Sequence, residues 1–376
     1  MGTRRWLVVA LASASFFMSY FSRLAWGVVS AYSSLRPTVV DDSIVFSLFF
    51  AGYVAVQVPS GALSDRADPR LVLSPSLLGL ALSSLASGLA DSMSVEYAAS
   101  FFMGLSAGWI YPATVKLISS EFSRGELPTA MGYYSLAWPL SIVIAGVALP
   151  ALCIDLGWRA PYYLIAAVSA ALSASYLPLR RSARPRPRNA AEFGLAVLKD
   201  VNALTVSAAG FLFFLSYWAV ALYAYKYFLE AGLGGYEAGF AYSLLALAGI
   251  PSTVVAGAVM DRLGVKKTLV AFEAAYGLLI ALLGAVRGAL LFLNAALMGF
   301  VRFVITPANS TAVSLVGRDK AGTVAGVANL FWQSSGIVAP AVAAYVLPSG
   351  GYEGLWLLSG LLAAASAIMY LALLKI

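Results

Sequence analysis

Apolar residues run for about 20 positions at a time along this chain, and charges, prolines and glycines cut the runs apart. A helix that crosses a bilayer needs about 20 predominantly apolar residues, so each run reads as one span. The breaks predict helices over 5–33, 42–64, 70–90, 94–118, 126–152, 159–178, 201–229, 235–259, 267–286, 289–315, 321–347 and 352–374. The expected fold class is therefore all-α, integral to a membrane, with 12 transmembrane helices. The first run is too long for a signal peptide and shows no small-residue cleavage site before Pro37, so it reads as helix 1 of the mature protein.

One polar interruption stands out, from Arg180 to Lys199, where arginines and prolines alternate. It divides the chain into an N-terminal six-helix bundle (1–178), a cytoplasmic linker (179–200) and a C-terminal six-helix bundle (201–376). The linker reads as a basic tether drawn to anionic lipid head groups, with 189–199 expected as a short amphipathic helix at the inner membrane surface.

Composition agrees with the pattern. The 376 residues are 61% hydrophobic and 11% charged, too little polar surface to coat a soluble globule. The net charge of +7 does not point to nucleic acid, because the bases sit between apolar runs rather than on one polar face. They gather at alternate span ends: Arg4 and Arg5, Arg66 and Arg70, Lys116 and Arg124, the 180–199 segment, Arg262 with Lys266 and Lys267, Arg318 and Lys320, and Lys375. By the positive-inside rule both termini face the cytoplasm, and a cytoplasmic (plasma) membrane location is expected. Cys153 is the sole cysteine, so an intramolecular disulfide is excluded. No nucleophile, metal or phosphate-loop constellation supports an enzyme, and no cofactor is expected.

The two halves repeat. Gly61-Ala62-Leu63-Ser64-Asp65-Arg66, closed by Arg70, forms a short charged hinge, and Gly257-Ala258-Val259-Met260-Asp261-Arg262 repeats it 196 residues on, followed by Gly264, Lys266 and Lys267. Met103-Gly104 and Pro112 match Met298-Gly299 and Pro307, and Gly132, Leu136 and Trp138 match Gly326, Leu330 and Trp332, at offsets of 195 and 194. Tandem halves of like topology imply a pseudo-two-fold axis along the membrane normal, with a central site between them.

These paired hinges, with Gly157-Trp158-Arg159 at the start of helix 6, resemble the major facilitator superfamily of secondary transporters. The resemblance covers the whole chain. It departs at Asp68, where the family's loop carries Gly; Gly264 keeps it in the second half. The resemblance implies that Asp65, Arg66, Arg70, Asp261 and Arg262 gate the inner side, with Asp65 set against the start of helix 11 near Ala321 and Gly322. It also implies that helices 1, 4, 7 and 10 line a central cavity.

A charge at mid-bilayer costs roughly 2.5–3.5 kcal/mol on insertion scales, so it persists where it faces the protein interior, a partner or water. Arg23 in helix 1 and Arg302 in helix 10 meet that description. Lys116 and Glu273 are placed nearer helix ends, and Lys226 with Glu230 at the outer mouth of helix 7, as snorkelling or locally paired groups. No Asp, Glu or His falls in the middle third of the helices expected to line the cavity, so a small anion is the expected substrate, and exchange or uniport is favoured over proton symport. Polar and aromatic groups at helical spacing complete the site: Tyr20, Tyr53, Gln57, Trp109, Trp138, Tyr217, Asn309, Asn329, Trp332 and Gln333.

Tyr20-x-x-Arg23 resembles organic-anion carriers of the superfamily, the sialin and vesicular glutamate transporter group and the organophosphate exchangers. In that group helix 1 arginine contacts substrate carboxylate or phosphate. Here Ser22, Ser100 and Ala107 stand where the first group carries an acid, an arginine and a glutamate, and Arg302 occupies the repeat position of Ala107. A two-base cavity is also similar to oxalate/formate-type exchangers. The first expectation is a monomeric carrier for a carboxylate or phosphate ester, embedded in membrane lipid and binding no nucleic acid. An exporter of hydrophobic or cationic drugs is the alternative, although helix 5 lacks the Gly-Pro-x-x-Gly-Gly run of such antiporters. A non-transporting receptor of the same fold is the third.

Overall fold

Prolines decide where the long helices break. The structure, a computed structural model, describes residues 2–123, 125–178, 197 and 199–376; the side chains of residues 2–4, 61, 62, 64–66 and 319 lie outside that description. In chain order the helices are α1 (Gly2–Val29), α2 (Val39–Ala55), α3 (Gln57–Arg66), α4 (Pro69–Leu89), α5 (Met93–Gly108), α6 (Ile110–Glu121), α7 (Leu127–Ser135) and α8 (Ala137–Leu156). There follow α9 (Ala160–Ser175), α10 (Val201–Glu230), α11 (Gly235–Leu247), α12 (Gly249–Leu263), α13 (Val265–Leu283), α14 (Ala289–Gly317) and α15 (Ala321–Leu373). No strand occurs among the described residues.

Four predicted helices are thus each two segments, parted at Val56, Trp109, Leu136 and Ala248. Each break lies three residues before a proline: Pro59, Pro112, Pro139 and Pro251. Proline has no N–H to give the carbonyl four residues back, and its ring crowds that carbonyl. The carbonyls so stranded belong to Ala55, Gly108, Ser135 and Leu247, the last residue of each leading segment. Pro75, Pro150 and Pro307 sit inside helices that stay continuous, so proline alone does not force a break.

Other boundaries also differ from expectation. Helix 1 ends at Val29 rather than 33. The runs at 321–347 and 352–374 join in α15, with the break confined to Gly351, whose φ of 58° leaves the helical region. The charged hinges are shorter than expected: Gly61 to Arg66 lies within α3 and Gly257 to Arg262 within α12, so only Ala67-Asp68 and Gly264 connect to the next helix. Asp68 needs no left-handed backbone. At φ −63° it caps α4, accepting from the Arg70 N–H at 3.1 Å and pairing with Arg70 Nε at 3.2 Å. Gly264, its repeat counterpart, has φ +78°, which a β-carbon disfavours. The expectations for the Asp65 and Arg66 side chains, and for the linker helix at 189–199, fall outside the described residues.

Among the described residues, nine helical stretches are long and apolar enough to cross a membrane. Internal packing divides the chain into one unit of Met1–Pro37 with Ile44–Ala190 and another of Thr38–Ser43 with Ala191–Ile376. Within each unit, glycine lets two helices touch backbone to backbone. A β-carbon on Gly52 would strike the Phe101 carbonyl and one on Gly104 the Phe49 carbonyl, which binds α2 to α5. In the second unit Gly249 packs on Phe303 and the Gly299 carbonyl, and Gly299 on the backbone of Leu244 and Leu245. Gly104 and Gly299 are the pair that the sequence repeat singles out.

The Gly157-Trp158-Arg159 segment closes one end of the first unit. Gly157 takes φ +90° and ends α8; Trp158 Nε1 donates to Ser34 Oγ at 3.1 Å; Arg159 Nη2 donates to the Ala90 carbonyl, at the C-cap of α4, at 3.0 Å. A cation at a helix C-terminus satisfies an orphan carbonyl and complements the helix dipole. Arg159→Ala is expected to cost about 1 kcal/mol, read as a lower thermal unfolding midpoint of the purified protein.

Candidate functional site

Each unit buries one arginine inside a box of aromatic rings. Arg23 on α1 is 4% exposed and Arg302 on α14 is 1% exposed. The Arg23 guanidinium carbon lies 4.2 Å from the Tyr53 ring centre, 4.9 Å from Tyr20, 5.2 Å from Phe50 and 5.7 Å from Phe49. That of Arg302 lies 4.3 Å from Tyr217, 5.0 Å from Phe213 and 5.2 Å from Phe214, while its Nη1 donates to Thr306 Oγ1, one turn on. A ring face attracts a cation electrostatically, so the boxes hold the guanidinium groups in place. A guanidinium binds a carboxylate through charge-assisted and often bidentate hydrogen bonds.

The rings share a sequence signature that the residue-by-residue reading missed. Phe16-Phe17-Met18-Ser19-Tyr20 on α1, Phe49-Phe50-Ala51-Gly52-Tyr53 on α2 and Phe213-Phe214-Leu215-Ser216-Tyr217 on α10 all read Phe-Phe-x-x-Tyr. The first and third stand 197 residues apart, close to the repeat offset. A tyrosine four residues after a phenylalanine shares its helical face, which on α2 and α10 turns both rings to the arginine, whereas Phe16 of α1 stacks on Tyr134. Phe49, Phe50, Phe213 and Phe214 passed as ordinary core for lack of that comparison.

Several expected site residues join these boxes. Trp138, just past the α7–α8 break, packs on Tyr20 at 6.0 Å between ring centres. Trp332 stacks on Phe214 at 5.4 Å and donates Nε1 to the Val206 carbonyl at 3.1 Å; Gly210, with no β-carbon, leaves room for its indole. Asn309, seven residues after Arg302 on α14, is buried and accepts from Tyr370 Oη at 2.7 Å. Others lie apart. Trp109 lines a separate groove with Leu63, Leu71, Pro75 and Leu105. Gln57 starts α3 and is half-buried, as are Asn329 and Gln333 on α15. Arg70 is buried against Asp68, whereas Asp261 and Arg262 are exposed.

Lys226 is locally paired, and its partner is Asp42: residues Thr38–Ser43 pack within the second unit, where Ser43 Oγ also meets Tyr223 Oη at 3.0 Å. Glu273 lies mid-helix in α13 and is fully buried, not near an end. Glu96, which the sequence reading left out, is 1% exposed and lines a small cavity with Arg23, Ser22, Trp26, Ser100 and Tyr162. Tyr162 Oη donates to Glu96 Oε1 at 3.1 Å. Glu96 stands one turn before Ser100 on α5, at the turn where the predicted helix began, so it passed as a span-end residue.

The Major Facilitator Superfamily model matches residues 9–340. The chain is 24% identical over 188 residues to a probable L-galactonate transporter of Escherichia coli (strain K12), covering 50% of this chain and 42% of that protein. It is 23% identical to the probable galactarate/D-glucarate transporter GudP of Bacillus subtilis (strain 168), covering 98% of this chain and 91% of the relative. Against the first of these it thus spans less than half the relative's length. A solved bacterial homolog of the human lysosomal transporter Spinster, in an inward-facing and occupied conformation, superposes with TM-score 0.82 at 13% identity, covering 98% of this chain and 96% of that one. At that identity the likeness is one of fold.

Proposed function

Since the chain belongs to the Major Facilitator Superfamily, we propose that it is a secondary active transporter carrying a small organic anion, a carboxylate of the sugar-acid class, across the cytoplasmic membrane. The observation that carries this reading is the pair of buried guanidinium groups, each framed by aromatic faces. Both arginines bind substrate: a carboxylate takes bidentate hydrogen bonds from a guanidinium, and the ring faces fit the apolar C–H surface of a polyhydroxy chain. The names of the galactonate and galactarate/glucarate relatives support the same class.

The nine long apolar helices, with α9, α13 and the second stretch of α15, make twelve spans in two six-helix bundles, both termini cytoplasmic. Transport runs by rocker-switch alternating access, with Asp65, Arg66, Arg70, Asp261 and Arg262 as gating residues. Exchange or uniport is favoured over proton symport because no acid falls in the middle third of the spans expected to line the cavity; Glu96, in the first turn of α5, and Glu273, in α13, are buried acids outside that set.

The same acids favour the second reading, export of lipophilic cations, for which a buried carboxylate is the natural counter-charge. Counterflow in proteoliposomes separates the two. Vesicles loaded with unlabelled D-galactonate are expected to accumulate labelled D-galactonate transiently, and excess lipophilic cation to leave that overshoot intact. Competition by the cation, with no competition by glucarate, would reverse the order.

A further inference from the structure

The small cavity beside Arg23 has a polar wall that carboxylate binding alone does not use. Arg23 and Ser22 on α1, Glu96 and Ser100 on α5 and Tyr162 on α9 line it, all within the first unit. Its volume is about 10 Å³, room for one group the size of a water molecule. Glu96 is 1% exposed, and Tyr162 Oη donates to its Oε1 at 3.1 Å. Ser87 of α4 stands close enough to give the carboxylate a second donor. An ionised carboxylate offers about four lone-pair sites, so two donors leave it unsaturated. Among the described residues no donor meets Oε2 with hydrogen-bonding geometry. The other hydroxyl groups of the wall have given their protons elsewhere: Ser22 Oγ donates to the Ser19 carbonyl at 3.1 Å and Ser100 Oγ to the Val45 carbonyl at 2.8 Å.

We propose that Glu96 is a specificity-determining residue that accepts a hydrogen bond from the hydroxyl next to the substrate's carboxylate, so that the carrier selects 2-hydroxy acids over plain carboxylates. The inference rests on carboxylate binding at Arg23. A guanidinium and an acceptor oxygen that lacks a donor share one recess, so the complementary ligand carries an anionic group and an O–H group side by side. Because Arg23 itself forms part of the wall, the two ligand groups sit on adjacent carbons. The space takes a hydroxyl and is too small for a longer branch.

Two competing ligand types fit less well. A plain carboxylate closes the recess and leaves Glu96 Oε2 buried with no donor, and a site built around a hydroxyl rejects the analogue that lacks it for that reason. A 2-amino acid would set an ammonium there, a second cation beside Arg23 in a space sized for one oxygen.

Isothermal titration calorimetry on the purified full chain in lipid nanodiscs compares acids that differ in one hydroxyl: D-galactonate with its 2-deoxy analogue, DL-malate with succinate, and DL-lactate with propionate. In wild type the hydroxy member of each pair that binds is expected to be about 10- to 100-fold tighter, and alanine to bind more weakly than lactate. Glu96→Gln, whose amide is a neutral and weaker acceptor, is expected to lower that ratio by about 5- to 10-fold. Ser100→Thr, which keeps a hydroxyl for the Val45 carbonyl and adds a methyl group to the wall of the recess, is expected to lower it too. Equal affinity within the pairs in wild type, a ratio unchanged in both variants, or alanine tighter than lactate overturns the role of Glu96. An equal loss for both members of a pair in Glu96→Gln overturns it as well, because the acid then serves to hold Arg23 in place. Wild type that binds no carboxylate of any pair overturns the sugar-acid reading itself, and this inference with it.

Discussion

Replacing Arg302 by alanine is expected to abolish D-galactonate uptake in proteoliposomes, and Arg23→Ala to do the same. Removing one partner of a buried, hydrogen-bonded charge pair costs about 2–5 kcal/mol. At about 1.4 kcal/mol per factor of ten, that is roughly a 30-fold to several-thousand-fold loss of affinity. Lysine is not expected to rescue fully at either position. It keeps the charge but loses the planar fork that binds a carboxylate bidentately and lies flat on Tyr53 or Tyr217. Tyr53→Leu and Tyr217→Leu, which leave the arginine and remove its nearest ring, are expected to show intermediate losses, with each variant's thermal midpoint measured to separate binding from folding. Wild-type uptake by either alanine variant would mean that its arginine is structural.

The second large effect is on the fold itself. Gly104→Val and Gly299→Val place a branched side chain where another helix's backbone already lies, at the Phe49 carbonyl in one unit and at Leu244 and Leu245 in the other. Backbone cannot rotate away as a side chain can. Overpacking a core costs about 1–3 kcal/mol and occasionally more, and these two sites belong at the upper end. Both variants are expected to unfold at clearly lower temperature and to express poorly, while Gly132→Ala, where a β-carbon meets open space, is expected to be nearly neutral. Equal melting of all three would show that the glycines are not what sets the helix crossings.

The same glycines show how far sequence carries. Gly104 and Gly299 were legible as a repeat pair before any coordinates, because both halves keep Met-Gly and a proline at one offset. Tyr20 was legible from its three-residue spacing to Arg23. The breaks in four helices were not predicted, although each stands a fixed three residues before a visible proline; Pro75, Pro150 and Pro307 show why proline content alone does not decide them. The acids were the least legible, Glu96 passing unnamed and Glu273 being placed too near a helix end. Hydropathy counts residues along a helix, whereas burial depends on which face meets a neighbour and how deep. Glu96 stands at the start of a span yet lines the Arg23 cavity, and Glu273 reads as one charge among lysines until α14 and α15 close over it. Asp68 broke the loop pattern and yet fits, because a carboxylate that caps a helix does the work of the turn without left-handed backbone.

The central claim, that this carrier binds a small carboxylate through paired arginines, is tested most directly by ligand-dependent thermal stability of the purified chain. D-galactonate and D-glucarate are expected to raise the unfolding temperature in wild type and to leave Arg23→Ala and Arg302→Ala unmoved, with neutral galactose inert throughout. Stabilisation by lipophilic cations with none by any carboxylate, or carboxylate stabilisation that survives both substitutions, would contradict it.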